Sequence, residues 1–309
     1  MRESVCVLMS TYNGEKYVRE QIDSILNQKN VEVFICIRDD GSSDSTFEIL
    51  KSYEEKCSNV LVLQGNNIGA EKSFYELIHY VCEKKFDYLY YAFSDQDDIW
   101  ENVKLLKAVD CLKQYEPSLP NLYYSNLHVI DENGKFLYDK FSNGYVRNSK
   151  KQIMAEICAW GCTCVFNSAA LEYMNDMYQK NNDYHDNWIT WICAFLGNVY
   201  YDNNAYIKYR QHGNNASGQV KKGISFFAMQ IKKLFFINDM KPVYELRARL
   251  FLELYADKME EADVKKMKLI SDYRYNINYK FILLFSNAIS SGHFVKELGR
   301  RIRIIKNVL

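Results

Sequence analysis

Two aspartates separated by one residue give the strongest chemical signal in the sequence. Asp95, Gln96 and Asp97 directly follow an apolar run that ends at Ser94. In an extended segment, side chains i and i+2 point to the same side, so the two carboxylates repel each other unless a cation joins them. Mn²⁺ and Mg²⁺ bind one or two carboxylates together with substrate phosphates. The pair therefore predicts a metal–diphosphate site, and a solvated acidic loop before a helix is the alternative.

Three further polar clusters follow earlier apolar runs, at 11–14 (TYNG), 39–42 (DDGS) and 66–69 (NNIG). Each cluster alone is weak, because DDGS is also typical of a turn that leads into a helix cap at Ser43 or Asp44. In open parallel sheets, however, ligands bind beyond the carboxyl ends of the strands. The four clusters together therefore predict one shared crevice.

The elements that position these clusters alternate along the first 115 residues. Strands are predicted at 5–10, 31–38, 59–64 and 87–94, and helices at 16–28, 45–57, 71–83 and 101–115. Strands that alternate with helices of this length indicate βαβ units. The predicted fold class is α/β, with a mostly parallel sheet flanked by helices.

The pattern changes after residue 115. A hairpin is predicted at 121–138 around Asp131 and Gly134, with later strands at 159–166 and 198–209 and helices at 168–179 and 186–196. Beyond about residue 220 the chain is predicted to be helical. Residues 216–309 hold 18 basic and 9 acidic residues, whereas the remainder holds 21 and 30. This asymmetry indicates an acidic body, 1–218, and a basic helical extension, 219–309.

Composition narrows the class of protein. The 309 residues are 48% hydrophobic and 25% charged, as in a folded soluble chain. Equal numbers of basic and acidic residues, 39 each, argue against a nucleic-acid binder. Nine cysteines without a CxxC pair are predicted to be free thiols in a reducing compartment. Without a signal-peptide pattern or a bilayer-length apolar stretch, a cytoplasmic protein is expected, with contact at the membrane surface left open.

The segments that carry these clusters resemble a known family. VLMSTYNGEKYVREQIDSIL, IRDDGSSDST, NNIGAEKSF and FSDQDDIW are similar to the nucleotide-sugar domain of glycosyltransferase family 2, which has the GT-A fold. HDNW at 185–188 and YRQHGNNASG at 209–218 resemble its bacterial rhamnosyltransferase-like branch. The resemblance covers about residues 4–218 and implies a nucleotide-sugar half, about 1–115, and an acceptor half, about 116–218.

The resemblance also implies residue roles. Gly69 would let the backbone approach the nucleotide, Lys72 would face its phosphates, and Asp95 would lie beside the ribose. Asp97 would bind the metal, Mn²⁺ or Mg²⁺. A buried carboxylate that accepts the imide N–H of a pyrimidine favours a UDP or dTDP donor. The residues expected to hold the nucleoside are Thr11, Tyr12, Asn13, Asp39 and Asp40.

Two later residues complete the expected site. Asp186 matches the general base of the family, and His212 matches a histidine near the metal or diphosphate. A cation at the leaving diphosphate and one carboxylate opposite it would give a single displacement with inversion. Without the resemblance, the sequence favours a helix cap for Asp186 and an ordinary turn residue for His212. Asn126 stands where relatives often have an aspartate, and an amide cannot act as a base.

The expected activity is transfer of a sugar, with rhamnose as a candidate, to a hydroxyl of a growing bacterial surface glycan. Three other functions are compared with it. A non-catalytic nucleotide-sugar-binding partner would not need Asp95, Asp97 and Asp186 together. A metal phosphohydrolase would need clustered histidines, but the five present are scattered. An NAD-linked oxidoreductase would need a GxGxxG after the first strand, which is absent.

The basic tail allows three interpretations. Lys221, Lys222, Lys232 and Lys233 and the segment 300–303 alternate with apolar stretches. Such helices bind anionic membrane surfaces, pack on the catalytic domain or form a homodimer contact. The family setting favours membrane contact, since many relatives extend lipid-linked glycans.

Overall fold

The computed structural model describes residues 2–141, 148–156, 158–180, 183–212, 241–292 and 294–309. The chain forms two compact units. The first comprises Met1–Val146 and Ala159–His212, and the second comprises Arg147–Cys158 and Gly213–Leu309. The sequence-based division at residue 218 places the 147–158 segment in the first unit, whereas the structure assigns it to the second.

The first unit is built on a sheet that has nine strands in the described residues. The strands are β1 (Glu3–Thr11), β2 (Val31–Asp39), β3 (Val60–Gln64), β4 (Tyr90–Ser94), β5 (Ile99–Trp100), β6 (Asn121–Ile130), β7 (Phe136–Asp139), β8 (Val165–Asn167) and β9 (Asn198–Arg210). Their order in the sheet is β3-β2-β1-β4-β8-β6-β9-β5, with β7 beside β6. The strands β3, β2, β1 and β4 are parallel to one another, β8 is antiparallel to both of its neighbours, and β6 and β9 are parallel.

Helices cover the sheet of this unit. They are α1 (Val18–Leu26), α2 (Thr46–Lys56), α3 (Ala70–Glu83), α4 (Lys104–Leu112), α6 (Ser168–Asn175) and α7 (His185–Leu196), with α5 (Lys150–Ile153) in the second unit. Because β1 is covered on both faces, its residues 5–9 are all fully buried. Strand alternation with these helices confirms the predicted α/β class.

The hairpin predicted around Asp131 is present as β6 and β7. The N–H of Asp131 donates to the carbonyl of Lys135 at 2.9 Å, and Gly134 has a φ of +85°. The short strand β5, only two residues long, gives no periodic signal in the sequence. The predicted strand at 159–166 is in fact a 3-10 turn, Gly161–Thr163, followed by β8.

The second unit is helical where it is described. Its helices are α8 (Val243–Tyr255), α9 (Glu261–Asp272), α10 (Ile277–Phe285) and α11 (Phe294–Ile305). Lys150 of α5 forms an ion pair with Asp263 at 2.5 Å, which joins the 147–158 segment to these helices. The basic pairs Lys221–Lys222 and Lys232–Lys233 lie outside the described residues.

Candidate active site

The polar clusters meet at the carboxyl ends of β1, β2 and β4, as their order predicts. Paired strands β1 and β4 end together, with Met9 opposite Ser94, and Thr11 lies opposite Asp39 on β2. The loops that follow these strands are therefore neighbours.

Asp39 is fully buried and fixes the loop after β2. The hydroxyl of Thr11 donates to its Oδ1 at 3.0 Å, the hydroxyl of Ser42 donates to the same oxygen at 2.6 Å, and the Ser42 N–H donates to Oδ2 at 2.9 Å. Asn13, with a φ of +48°, accepts the Ser43 N–H at its Oδ1 at 2.8 Å. These contacts join the β1 and β2 loops into one surface, on which the Tyr12 side chain is 45% exposed.

Asp40 is a buried anion held by the protein itself. Its Oδ1 accepts from Arg38 at 2.5 Å, and its Oδ2 accepts the Gly69 N–H at 2.8 Å and the Ile68 N–H at 3.1 Å. Both oxygens are therefore engaged by the chain. Asp40 shapes the turn before α3, where Gly69 has a φ of +88° and open space at its Cβ position. Lys72 is exposed on the first turn of α3.

Asp97 and His212 form the contact that best suits a cation. The Asp97 Oδ2 and His212 Nε2 atoms are 2.7 Å apart, and each side chain is 12% exposed. Two adjacent ligand atoms of an octahedral cation with bonds of about 2.1 Å lie about 3 Å apart. Carboxylate oxygen with imidazole nitrogen also suits Mn²⁺. The pair therefore fits the implied metal, which Asp97 and His212 would hold.

Arg210 brings His212 to this position. Its Nε donates to the Asp97 carbonyl at 3.0 Å, its backbone N–H donates to Asp98 Oδ1 at 3.1 Å, and its guanidinium pairs with Glu20 at 2.6 Å. The end of β9 is thereby locked onto the acidic loop. Arg210 is not among the site residues expected from the sequence, although Arg210 lies two residues before His212.

Asp95 lies in the field of two other carboxylates. Burial first, then the charges of Asp97 and Asp186, raise the pKa of Asp95 to about 7. The loop therefore concentrates negative charge that a divalent cation would neutralise. The structure thus brings Asp95, Asp97, Asp186 and His212 to one place.

Asp186 lies in the first turn of α7 and is half-buried. The residue at the N-cap is Tyr184, so Asp186 is not the cap of this helix. Its Oδ1 accepts the Asn187 N–H at 2.8 Å. The positive end of the helix dipole favours the ionised carboxylate, which is the form a base requires.

A second acidic cluster lies behind the loop. Ligand atoms of Asp95, Asp98 and Cys162 lie within 4.8 Å of one another. Burial, with the charges of Asp98 and Asp95, raises the pKa of the Cys162 thiol. Lys104, fully buried with its Nζ 3.5 Å from the Trp100 ring centroid, supplies positive charge beside them. With Lys104 beside it, this buried cluster supports the loop, whereas Asp97 and His212 would hold the implied cation.

Lys104 was missed by the sequence analysis, although a signal exists. It occupies the first position of the apolar stripe of α4, with Leu105, Ala108, Val109 and Leu112, all buried. A lysine on the buried face of a helix needs a partner in the core. Burial lowers its pKa to about 8, whereas Cys162, Cys164 and Asp98 oppose that shift.

Several other side chains have structural roles inside the first unit. Asn126 is 2% exposed, and its amide contacts the carbonyls of Phe141 at 3.0 Å and Asn203 at 3.3 Å. It therefore braces β6 rather than presenting a free amide. Trp188 and Trp191 are buried core residues. All nine cysteines fall within the described residues, and each is a free thiol.

The chain belongs to the glycosyl transferase family 2, whose model matches residues 6–173. With the sheet order and the acidic loop described above, its fold is GT-A and the protein is a glycosyltransferase.

Named relatives agree with this assignment. The chain is 35% identical over 231 residues to the dTDP-rhamnosyl transferase RfbG of Shigella flexneri, covering 71% of this chain and 76% of that protein. It is 30% identical over 194 residues to the chondroitin synthase of Escherichia coli, covering 57% of this chain and 26% of that protein.

Solved structures show the same fold. S. aureus TarS 1-349 in complex with UDP-GlcNAc has a TM-score of 0.56 and 16% identity, covering 97% of this chain and 90% of that one. The same fragment in complex with UDP has a TM-score of 0.55 and 18% identity, with equal coverage.

Proposed function

We propose that this glycosyltransferase is a metal-dependent, inverting enzyme that moves a sugar from a UDP or dTDP donor to a hydroxyl of a growing bacterial surface glycan. The observation that carries the proposal is the Asp97–His212 pair, with its 2.7 Å separation, beside Asp95 and Asp186 at the carboxyl ends of the strands. The similarity to a dTDP-rhamnosyl transferase makes rhamnose the first sugar to test.

The donor would lie across the loops after β1, β2 and β4. Thr11, Tyr12, Asn13 and Asp39 border the nucleoside end, where Tyr12 offers an exposed ring. Gly69 leaves open space where a side chain would otherwise stand, so the backbone is accessible to the nucleotide. Lys72, exposed on the first turn of α3, would face the phosphates. Asp95 would lie beside the ribose.

The chemical step separates charge between two sides of the sugar. Asp97 and His212 would hold a divalent cation, which when bound would supply Lewis-acid stabilisation of the leaving diphosphate. Asp186 takes the proton of the acceptor hydroxyl as that oxygen attacks the anomeric carbon. The bond to the diphosphate breaks as the new bond forms, so one base on the opposite face gives inversion.

The second unit supports a further part of the proposal, contact with an anionic membrane surface where a lipid-linked acceptor would lie. On α10, Ile277, Phe281 and Phe285 follow one another at i, i+4 and i+8 and are 65%, 55% and 74% exposed. Lys280 donates to the carbonyl of Ile305 at 3.2 Å, which places the basic end of α11 beside this face. An apolar face flanked by basic residues matches an anionic lipid surface, at the cytoplasmic side of the cell membrane.

Among the helices that the structure describes, none combines the length and apolar character needed to cross a bilayer. The proposed membrane contact fits the basic character of α11, whose 294–309 segment has five basic residues and one acidic residue.

Replacement of the base tests the proposed reaction against the alternative of a non-catalytic nucleotide-sugar-binding partner. Asp186→Asn keeps the size of the side chain but cannot accept the proton. Release of nucleoside diphosphate from the donor should fall by about a hundredfold or more, as expected for loss of a general base. Donor affinity, measured by calorimetry, should stay close to that of the wild type.

The matched control is Asp183→Asn, because Asp183 lies just before α7 begins. Its carboxylate accepts a hydrogen bond from the Asn187 side chain at 3.0 Å. This variant should keep turnover. If Asp186→Asn turns over donor as fast as the wild type, Asp186 is not the base. If the wild type itself releases no nucleoside diphosphate from any donor, the non-catalytic alternative gains support.

A further inference from the structure

The side chain of Gln96 joins the loop after β4 to the loop after β1. Its Oε1 accepts the Tyr12 N–H at 2.8 Å, and its Nε2 donates to the Tyr12 carbonyl at 3.0 Å. The two bonds fix the orientation of the amide, because Oε1 has to face the N–H and Nε2 the carbonyl. Gln96 is the middle residue of the Asp95–Asp97 motif, and the proposed chemistry gives it no task.

The bridge continues the sheet beyond its last backbone pair. Backbone pairing between β1 and β4 ends at Met9 and Ser94. Further along, one side-chain amide exchanges an N–H and a carbonyl with Tyr12, as a paired residue of a neighbouring strand would. The two loops are therefore held in register where no main-chain pairing remains.

Gly14 makes room for this amide. A Cβ at Gly14 would lie 2.3 Å from Gln96 Oε1 and 2.6 Å from Gln96 Cδ. Gly14 is not among the residues with positive φ, so its own backbone would accept alanine. The glycine is therefore needed for the space that Gln96 occupies, not for a special turn.

The loop that Gln96 holds carries the exposed Tyr12 ring. On the other side of Tyr12, the Asn13 N–H donates to the Ser42 hydroxyl at 2.9 Å. Tyr12 is thus fixed from both flanks, by Gln96 towards the acidic loop and by Asn13 towards the β2 loop. The position of Tyr12 relative to Asp97 therefore depends on the hydrogen bonds on both sides of Tyr12.

We infer that Gln96 is a positioning residue for the donor nucleotide, which acts by fixing Tyr12 at a set distance from the metal-binding Asp97. The inference rests on the proposed function, since it assumes that Tyr12 borders the nucleoside and Asp97 the diphosphate. Gly14 is part of the same arrangement, because any side chain at position 14 would displace the Gln96 amide.

A double-mutant cycle tests this device by calorimetry of UDP and dTDP in the presence of Mn²⁺. Gln96→Ala removes both bonds to Tyr12 and should weaken nucleotide binding about tenfold. Gly14→Ala should weaken it to a similar degree, because it pushes the amide away. The double variant should bind within roughly twofold of Gln96→Ala alone, because both changes remove the same contact.

Two controls separate positioning from a general loss of stability. Gln114→Ala removes another glutamine contact to a backbone carbonyl, that of Asp110 at 3.3 Å, and should leave nucleotide affinity unchanged. In a Tyr12→Ala background, Gln96→Ala should have little further effect on affinity, because the group that it positions is absent. Thermal midpoints of all variants show whether any loss follows from unfolding.

The outcomes distinguish the inference from the proposed function. If the wild type binds neither nucleotide with Mn²⁺, the proposed donor site and this inference both fall. If the wild type binds, but Gln96→Ala binds equally well or the effects of Gly14→Ala and Gln96→Ala simply add, the inference alone is overturned.

Discussion

Asp97 makes two contacts, of which replacement of its side chain removes only one. Its carboxylate meets His212 at 2.7 Å, and its carbonyl accepts from Arg210. Asp97→Ala removes only the carboxylate, so the backbone contact that locks β9 is kept. We expect the metal dependence of donor binding to disappear, measured as the difference in donor affinity between Mn²⁺ and chelator.

Asp87→Ala is the matched control, since Asp87 is exposed and precedes β4 rather than following it. This variant should retain the metal dependence of the wild type. An unchanged response of Asp97→Ala to Mn²⁺ would refute the assignment of Asp97 as the metal ligand.

His185 is a buried histidine that stability measurements can detect. Its ring lies 3.9 Å from the centroid of Phe74 and 4.5 Å from that of Phe93, and burial lowers its pKa from 6.5 to about 3. Below pH 6.5 the unfolded chain therefore binds a proton that the folded chain does not. The stability that this group contributes is full above pH 6.5 and is lost as the pH falls towards 3.

The prediction is that His185→Phe flattens the acid side of the stability profile. In the wild type this histidine adds a slope of at most about 1.4 kcal/mol per pH unit between pH 6 and 4, as the general relation between pKa and free energy gives. Urea unfolding at several pH values measures the slope. His79→Phe, at a half-buried ring, is the control, and an equal slope in wild type and His185→Phe would contradict the prediction.

At the scale of the elements, two glycines with positive φ have different surroundings. A Cβ at Gly41, with a φ of +77°, would lie 3.0 Å from the Asn67 nitrogen and 3.2 Å from the Gly65 carbonyl oxygen. A Cβ at Gly69, with a φ of +88°, would meet nothing within 4 Å. Both alanine variants place an L-residue in the left-handed region, but only Gly41→Ala also presses on rigid backbone.

Gly41→Ala should therefore lower the free energy of unfolding more than Gly69→Ala, for which the backbone strain at φ +88° and ψ +149° alone costs about 1–3 kcal/mol. Denaturant unfolding compares the two. Gly69→Ala should instead weaken nucleotide affinity, because its Cβ enters the open space proposed for the donor. A larger stability loss for Gly69→Ala would show that the loop after β3 packs differently.

Elements with a clear period could be predicted from the sequence. The alternation of β1 to β4 with α1 to α4 follows from buried runs and amphipathic helices, and the structure confirms it within a few residues. The carboxyl-end clusters then follow, because parallel strands bring their ends to one edge. Asp95 and Asp97 were recognisable for the same reason.

Features that depend on long-range contacts could not be predicted. The two-residue β5 is defined by pairing with Lys208 and Ile207, more than a hundred residues away. The hydrogen bonds of Gln96 to Tyr12 and of Arg210 to the acidic loop likewise join segments that only the folded sheet brings together. Asp40 is expected to face the nucleoside, and its contacts with Arg38, Ile68 and Gly69 could not be predicted because they depend on the turn geometry.

At the scale of the whole molecule, the proposed membrane contact depends on the exposed face of α10. Replacing Phe281 and Phe285, which are 55% and 74% exposed, by serine removes two aromatic side chains from this face. Binding to vesicles that contain anionic lipid should fall severalfold, measured by flotation.

Phe136→Ser is the control, because Phe136 is 54% exposed on β7 of the first unit. It should bind vesicles as the wild type does. Equal binding of the α10 variant and the wild type would refute a role of this face in membrane contact.

The most direct test of the account is binding of a panel of nucleotide sugars to the wild-type protein, each with Mn²⁺ and each with chelator. We expect a UDP- or dTDP-sugar to bind with Mn²⁺ and to lose its affinity with chelator, with dTDP-rhamnose as the first candidate. Equal binding with chelator would contradict the metal site at Asp97 and His212, and binding of no nucleotide sugar would contradict the donor site itself.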